Sequence, residues 1–150
     1  MHADSLIIGM GNPLRRDDGF GPAVLDLLEA EGLPGRLKLI SVHQLSPEIA
    51  EDLRTVDRVV FVDARIGEEA GLRMTPLEAD AIAGATLSHE FPPAALLHLT
   101  GALYGQTPRA WTLSAPALDL SPGEGLSPAC QVYAEEAVLL LQDWLNSEGD

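Results

Sequence analysis

Two adjacent carboxylates, Asp17 and Asp18, stand near the end of a glycine-rich stretch, Gly9-Met10-Gly11-Asn12-Pro13-Leu14-Arg15-Arg16-Asp17-Asp18-Gly19-Phe20-Gly21. An apolar run, Leu6-Ile7-Ile8, precedes it and a patterned segment, Val24 to Glu31, follows, so the order reads strand, turn, helix. Glycines let backbone approach a ligand closely, and free N–H groups at a helix start favour phosphate. The acid pair argues the other way, since it repels phosphate and attracts a cation. The turn therefore suits a metal.

Two further residues have metal-ligating chemistry. Asp63 ends the apolar run Val59-Val60-Phe61-Val62, and His89 lies on a segment without periodicity. Asp18 and Asp63 offer hard oxygens and His89 an imidazole nitrogen. Such a set leaves coordination positions open, as suits a divalent ion such as zinc or nickel. The spacing of 18, 63 and 89 is not diagnostic by itself, because the residues sit on three separate elements. Each also has an ordinary role: Asp18 can cap a helix, Asp63 can accept hydrogen bonds at a strand end, and His89 can be a plain loop residue. Only their convergence favours ligation. Asp17 reads as a solvated or supporting neighbour rather than a ligand. His43 either lines the same edge or packs beneath it, and His98 and Cys130 read as packing residues. No glycine-flanked serine and no Cys/His pair signals covalent catalysis.

The elements that must position these residues alternate between strand and helix. Strands are expected at Leu6 to Gly9, Leu37 to Val42, Arg58 to Ala64, Leu72 to Leu77 and Ala110 to Ser114. The first helix is expected to end at Gly32, with either Gly21 or Asp18 as its cap. Ser46-Pro47-Glu48 opens a short helix, and Pro92 to Tyr104 forms another with Leu96, Leu99, Ala102 and Leu103 on one face. Ser127-Pro128 opens the last, whose stripe of Ala134, Ala137, Val138, Leu141, Trp144 and Leu145 is core. Residues 78 to 91 form a long loop of the kind that carries function. This pattern predicts a single domain over 1–150, a three-layer α/β/α sandwich around a mostly parallel, roughly five-stranded sheet. Ligands in such sheets sit beyond the carboxyl ends of the strands, where strand order reverses. If the first strand lies between the second and third, Asp18 and Asp63 meet there.

Bulk composition narrows the partners. Nine basic against 23 acidic residues leave a net charge of −14, which opposes nucleic acid and anionic membrane. A single cysteine excludes an intrachain disulfide and a cysteine zinc cluster. No basic n-region opens the chain and no run approaches the roughly 20 apolar residues of a membrane span, so a cytoplasmic location is expected.

The stretch from Gly9 to Gly21 resembles the opening motif of the nickel-iron hydrogenase maturation proteases, G-x-G-N-x-L-x-x-D-[DE]. Val62-Asp63-Ala64 resembles that family's second acidic site at a strand end, and Ser88-His89 before a helix its histidine loop. The resemblance implies that Asp18, Asp63 and His89 bind metal. It also implies endoproteolysis of a hydrogenase large-subunit precursor, whose C-terminal extension is removed after nickel insertion. The nickel is then carried by the precursor, and zinc or cadmium are other divalent ions suited to the site. Cleavage is expected either through metal polarising the carbonyl or activating water, or through Asp17 or Asp18 as general base. Asn12, His43 and Gln44 are the expected substrate-binding positions. Where many relatives have a glycine-rich segment after the second strand, this chain has His43-Gln44-Leu45-Ser46, a departure that touches substrate choice. A non-catalytic metal- or partner-binding relative is the alternative. Peptidyl-tRNA hydrolase, whose start also contains Gly-x-Gly-Asn-Pro, is disfavoured by the lack of basic surface.

Overall fold

The computed structural model describes residues 4–33, 35–67, 69–80 and 91–147. Five strands form one sheet: β1 (Ser5–Met10), β2 (Leu37–Val42), β3 (Arg58–Arg65), β4 (Arg73–Leu77) and β5 (Arg109–Pro116). Their order is β2-β1-β3-β5-β4, parallel except for β4, which pairs antiparallel with β5 at one edge. An edge position also accommodates Pro76, whose missing N–H a central strand would not tolerate. The expected three-layer architecture is observed.

Alternation along the central strands divides the core in two. Ile7, Val60, Val62 and Leu113 pack with α1 (Phe20–Ala30) and α4 (Pro128–Asn146). Leu6, Ile8, Val59 and Phe61 pack with α2 (Ala50–Leu53) and α3 (Pro93–Tyr104) on the other face. Every residue of β1 is buried, as a strand covered by helices on both sides must be. The buried residues of α3 are Ala95, Leu96, Leu97 and Thr100, whereas Leu103 is 59% exposed and Ala102 is exposed too. The expected face of α3 is thus rotated. Its sequence is apolar nearly all round, so periodicity alone does not select the buried side. His98 is exposed rather than packed, while Cys130 is buried as expected.

At the end of the sheet away from the carboxyl termini, buried Arg58 ties β3 to the last turn of α4. Its guanidinium donates to Ser5 Oγ at 2.8 Å, the Trp144 carbonyl at 2.7 Å and the Leu145 carbonyl at 2.9 Å. It also lies 4.2 Å from the Trp144 ring centroid. A cation there adds donors to carbonyls of the last turn and complements the negative end of the helix dipole.

Two glycines bring the first loop against the sheet. A Cβ on Gly21 would lie 2.5 Å from the backbone of both Met10 and Val62, so α1 can approach the ends of β1 and β3 only because this residue has no side chain. Gly21 is therefore a packing residue inside the helix, and Gly19 is the N-cap position. Gly21→Ala is expected to lower stability by about 3 kcal/mol, read as a reduced urea midpoint at unchanged m. Gly11, at φ +137, holds a conformation that side chains disfavour, and a Cβ there would lie 1.8 Å from the Asp18 carbonyl oxygen.

Candidate active site

β1 is flanked by β2 on one side and β3 on the other, so the chain reverses direction across the sheet at β1. The carboxyl ends of these three strands supply Met10-Gly11-Asn12, His43-Gln44 and Asp63-Ala64-Arg65, and all of these residues line one cleft of about 570 Å³. This is the crevice that a parallel sheet offers at a switch point. Asp18 lines it as well, brought there by a 3-10 turn, Arg16–Gly19, between β1 and α1. Asp18 and Asp63 share the cleft with Asn12, His43 and Gln44, so five of the residues singled out in the sequence meet in space. His43 and Gln44 are exposed, with Leu45 buried beneath them as an anchor.

Asp18 does not cap a helix. Its Oδ2 accepts a hydrogen bond from the Asn12 N–H at 2.9 Å, while Oδ1 has no hydrogen-bond donor among the described residues. The Asn12 side chain is engaged in turn, its Oδ1 accepting from the Leu14 N–H at 2.9 Å. Asp63 Oδ1 accepts from the Ala64 N–H at 2.8 Å. Both carboxylates are half-buried, placed by backbone donors on the two strands that flank the switch point. Such hard oxygen donors fit a divalent cation. His89 and Ser88 lie outside the described residues. Among the described residues, no group of three or more His, Cys, Asp or Glu assembles as a metal-holding cluster.

Of the two placements expected for Asp17, solvated or supporting, the structure shows the supporting one. It is fully buried rather than solvated, and it does not line the cleft. Its Oδ1 accepts from the Ser127 N–H at 2.7 Å, and its Oδ2 accepts from the Leu118 N–H at 2.8 Å, the Asp119 N–H at 3.0 Å and the Ser127 hydroxyl at 2.8 Å. Burial by itself raises this carboxyl's pKa, but the hydrogen bonds from Ser127, Leu118 and Asp119 outweigh it and hold the group below the ordinary carboxylate range. With both oxygens so engaged and the cleft out of reach, Asp17 is a positioning residue rather than the alternative general base. The cause is tertiary: the loop after β5 folds back onto the first loop. Arg16, at φ +43, donates its N–H to the Gly123 carbonyl at 3.1 Å, and the Gly123 N–H donates to the Leu14 carbonyl at 2.8 Å. Ser127 thus has two roles, since its hydroxyl also caps α4 at the Cys130 N–H. Burial, then the neighbouring Asp17 charge, pushes the Cys130 thiol up to about 12, so this cysteine is an inert packing group.

The sequence reading passed over several cleft residues. Arg15 and Arg65 line it, as do Phe91, Pro92 and Pro93 before α3 and Leu120 from the loop after β5. Arg65 follows Asp63 by two residues on the same strand, a spacing that could have drawn notice. Its Nη1 donates to the Ser114 carbonyl and hydroxyl, and its Nη2 to the carbonyls of Glu69 and Gly71. Burial first, and then the nearby charge of Arg73, holds its pKa below the usual arginine value.

Several solved structures with this fold are described as hydrogenase maturation proteases. A hydrogenase 2 maturation peptidase from a Thaumarchaeota archaeon is 29% identical, with 95% of this chain and 97% of that one covered at a TM-score of 0.72. The chain resembles the hydrogenase maturation protease family in fold and, at that identity, in sequence. Two further members give the same fold at lower identity. The hydrogenase maturating endopeptidase HybD from Escherichia coli is 20% identical, covering 97% of this chain and 93% of that one at a TM-score of 0.76. The [NiFe] hydrogenase maturation protease HycI from Thermococcus kodakarensis is 22% identical, covering 97% and 94% at a TM-score of 0.76. No protein-family profile matches the chain, and no curated protein does. The likeness therefore rests on the shared fold and the 29% identical relative, with the first-loop motif in agreement. No helix among the described residues is long and apolar enough to cross a membrane.

Proposed function

We propose that this protein is an endopeptidase that removes the C-terminal extension of a nickel-iron hydrogenase large-subunit precursor once nickel has been inserted, using the precursor's nickel for recognition. The observation that carries the reading is the meeting of Asp18 and Asp63 in one cleft of a hydrogenase maturation protease fold. In this reading their carboxylates, with His89, receive the metal carried by the substrate, and zinc or cadmium can take its place. The cleft admits a peptide segment because it is open between the first loop, the end of β3 and the prolines before α3. Bound there, a divalent ion supplies Lewis acidity towards the scissile carbonyl or its attacking water. In the carboxylate-base alternative Asp18 acts as base instead of ligand, and its Oδ1 would accept the proton of the attacking water, since Oδ2 is held by the Asn12 N–H. The exposed side chains of His43 and Gln44 stand where a substrate backbone can be hydrogen-bonded along one wall.

The deciding experiment incubates the purified protein with nickel-loaded and nickel-free precursors and follows the C-terminus by mass spectrometry. Trimming of the loaded precursor and not the nickel-free one is the expected result. Trimming of neither refutes the proposed activity, and equal trimming of both refutes the role of nickel.

A further inference from the structure

Ion pairing among the nine basic residues is uneven. Arg16, Arg36, Lys38, Arg54 and Arg73 each lie beside a carboxylate, those of Asp119, Asp4, Asp52, Glu51 and Glu69 in turn. Arg58 is buried under the end of α4, and Arg109 lies 5.8 Å from the Trp111 ring centroid. The two that remain, Arg15 and Arg65, form no ion pair with any described residue, and both line the cleft that holds Asp18 and Asp63. Arg15 is exposed and donates no side-chain hydrogen bond to a described residue. Among the described residues, Arg65 donates only to neutral oxygens, those of Ser114, Glu69 and Gly71, and its buried Nε has no partner among them.

A guanidinium bonded to neutral dipoles keeps its full charge, and half-burial weakens the screening that water would provide. In a chain of net charge −14, two cations in one cleft that form no ion pair among the described residues mark a place where an anion is stabilised. A planar monoanion suits the guanidinium fork, whereas a phosphate dianion would meet stronger repulsion from Asp18 and Asp63 in the same space.

We propose that Arg15 and Arg65 form a carboxylate-reading subsite, which holds an acidic group of the peptide segment lying across Asp18 and Asp63. The proposal rests on the endopeptidase reading and specifies its substrate: the bound segment carries a negative charge, either on an Asp or Glu side chain or at its terminal carboxylate. The acid pair then faces the metal-bearing part of the substrate while the arginine pair takes the anionic part. This opposition fixes the direction in which the segment lies.

Two arms test it. In the first, the Nε–H resonances of Arg15 and Arg65 in ¹⁵N-labelled protein are followed during titration with three acetylated dipeptides: Gly-Gly with a free carboxylate, Asp-Gly amide, and Gly-Gly amide. Shifts in both arginines with a charged peptide and none with the neutral one are expected, and the charged peptide that acts identifies the source of the carboxylate. The same response to all three, or none to either charged peptide, overturns the subsite whatever the protein's activity. The second arm uses trimming kinetics on the precursor. Arg15→Gln, at an exposed position, is expected to raise KM roughly tenfold with kcat changed less than about threefold. A precursor whose tail carboxylates are replaced by amides should lose the same factor on the unaltered enzyme and nothing more on Arg15→Gln. Unchanged KM in Arg15→Gln overturns the proposal. An unaltered enzyme that trims nothing refutes the endopeptidase reading instead, and the first arm still decides the subsite.

Discussion

Asp18→Asn is expected to reduce trimming of the nickel-loaded precursor by about 10³-fold or more in kcat/KM while the melting temperature stays within about 3 °C of the parent. The asymmetry follows from where the two oxygens go. Oδ2 accepts from the Asn12 N–H, a bond that an asparagine oxygen can keep, so the loop retains its local anchor. The other atom becomes an amide NH₂, which can neither donate a lone pair to a metal nor accept a proton. Charge is lost from the cleft while the half-buried side chain keeps its size and its bond to the Asn12 N–H. Asp63→Asn is expected to behave in the same way. Time courses by mass spectrometry, paired with thermal melts, check both variants, and retention of more than about a tenth of the parent rate by Asp18→Asn would remove this residue from the chemistry.

Asp17→Asn, one residue earlier, should fail in the opposite manner, through the fold. All four of its hydrogen bonds run from the loop after β5 and the start of α4, and three of the donors are backbone N–H groups. An asparagine can place its oxygen towards only one set, so its NH₂ must face at least one buried N–H. The expected loss is about 2–4 kcal/mol at pH 7, because a donor left buried without an acceptor bears its full desolvation cost. Linkage gives a second signature. The native pKa of Asp17 is depressed, so its contribution is complete above the unfolded carboxylate value of about 3.9 and is lost as pH falls through the lower native value. The parent protein should therefore lose stability below about pH 4, and Asp17→Asn should lose less over the same interval. Some slope will persist in the variant, since the exposed carboxyls of Asp4 and Asp119 are depressed as well, by Arg36 and by Ser121. Urea midpoints measured from pH 3 to pH 7 check this. A variant as stable as the parent would mean that the loop after β5 is held by other contacts.

Local pattern made much of this architecture legible. β2 spans the residues expected of it, and β3 extends the expected run by one residue, because continuous apolar runs bounded by turns and charges have few alternatives. The core stripe of α4 is buried from Ala134 to Trp144, since its period is helical, while Val132 and Leu139 lie exposed on the other side. The first loop reads as a cation-favouring turn at the mouth of a helix, and Asp18 does reach the cleft there. Other features needed the whole molecule. The antiparallel direction of β4 depends on a turn that its weak pattern does not encode, and the buried face of α3 depends on which side meets α2. Arg58 reads as the first residue of a strand, and nothing near it reveals that its partners in α4 lie more than 80 positions away.

Asp17 and Asp18 show where that division falls. The sequence by itself determined that an acid pair follows a glycine turn, that a second acid ends a buried strand, and that the two would meet if strand order reversed between them. Those are consequences of residue type and short-range periodicity, which act over a few positions. Which acid of the pair faces the cleft was decided only by tertiary structure. The loop carrying Leu118, Asp119 and Ser127 brings its N–H groups and one hydroxyl onto Asp17, and no local rule connects segments about a hundred residues apart. Once one carboxylate satisfies those buried donors, the turn leaves its neighbour at the end of the sheet, beside Asp63 and open to a ligand.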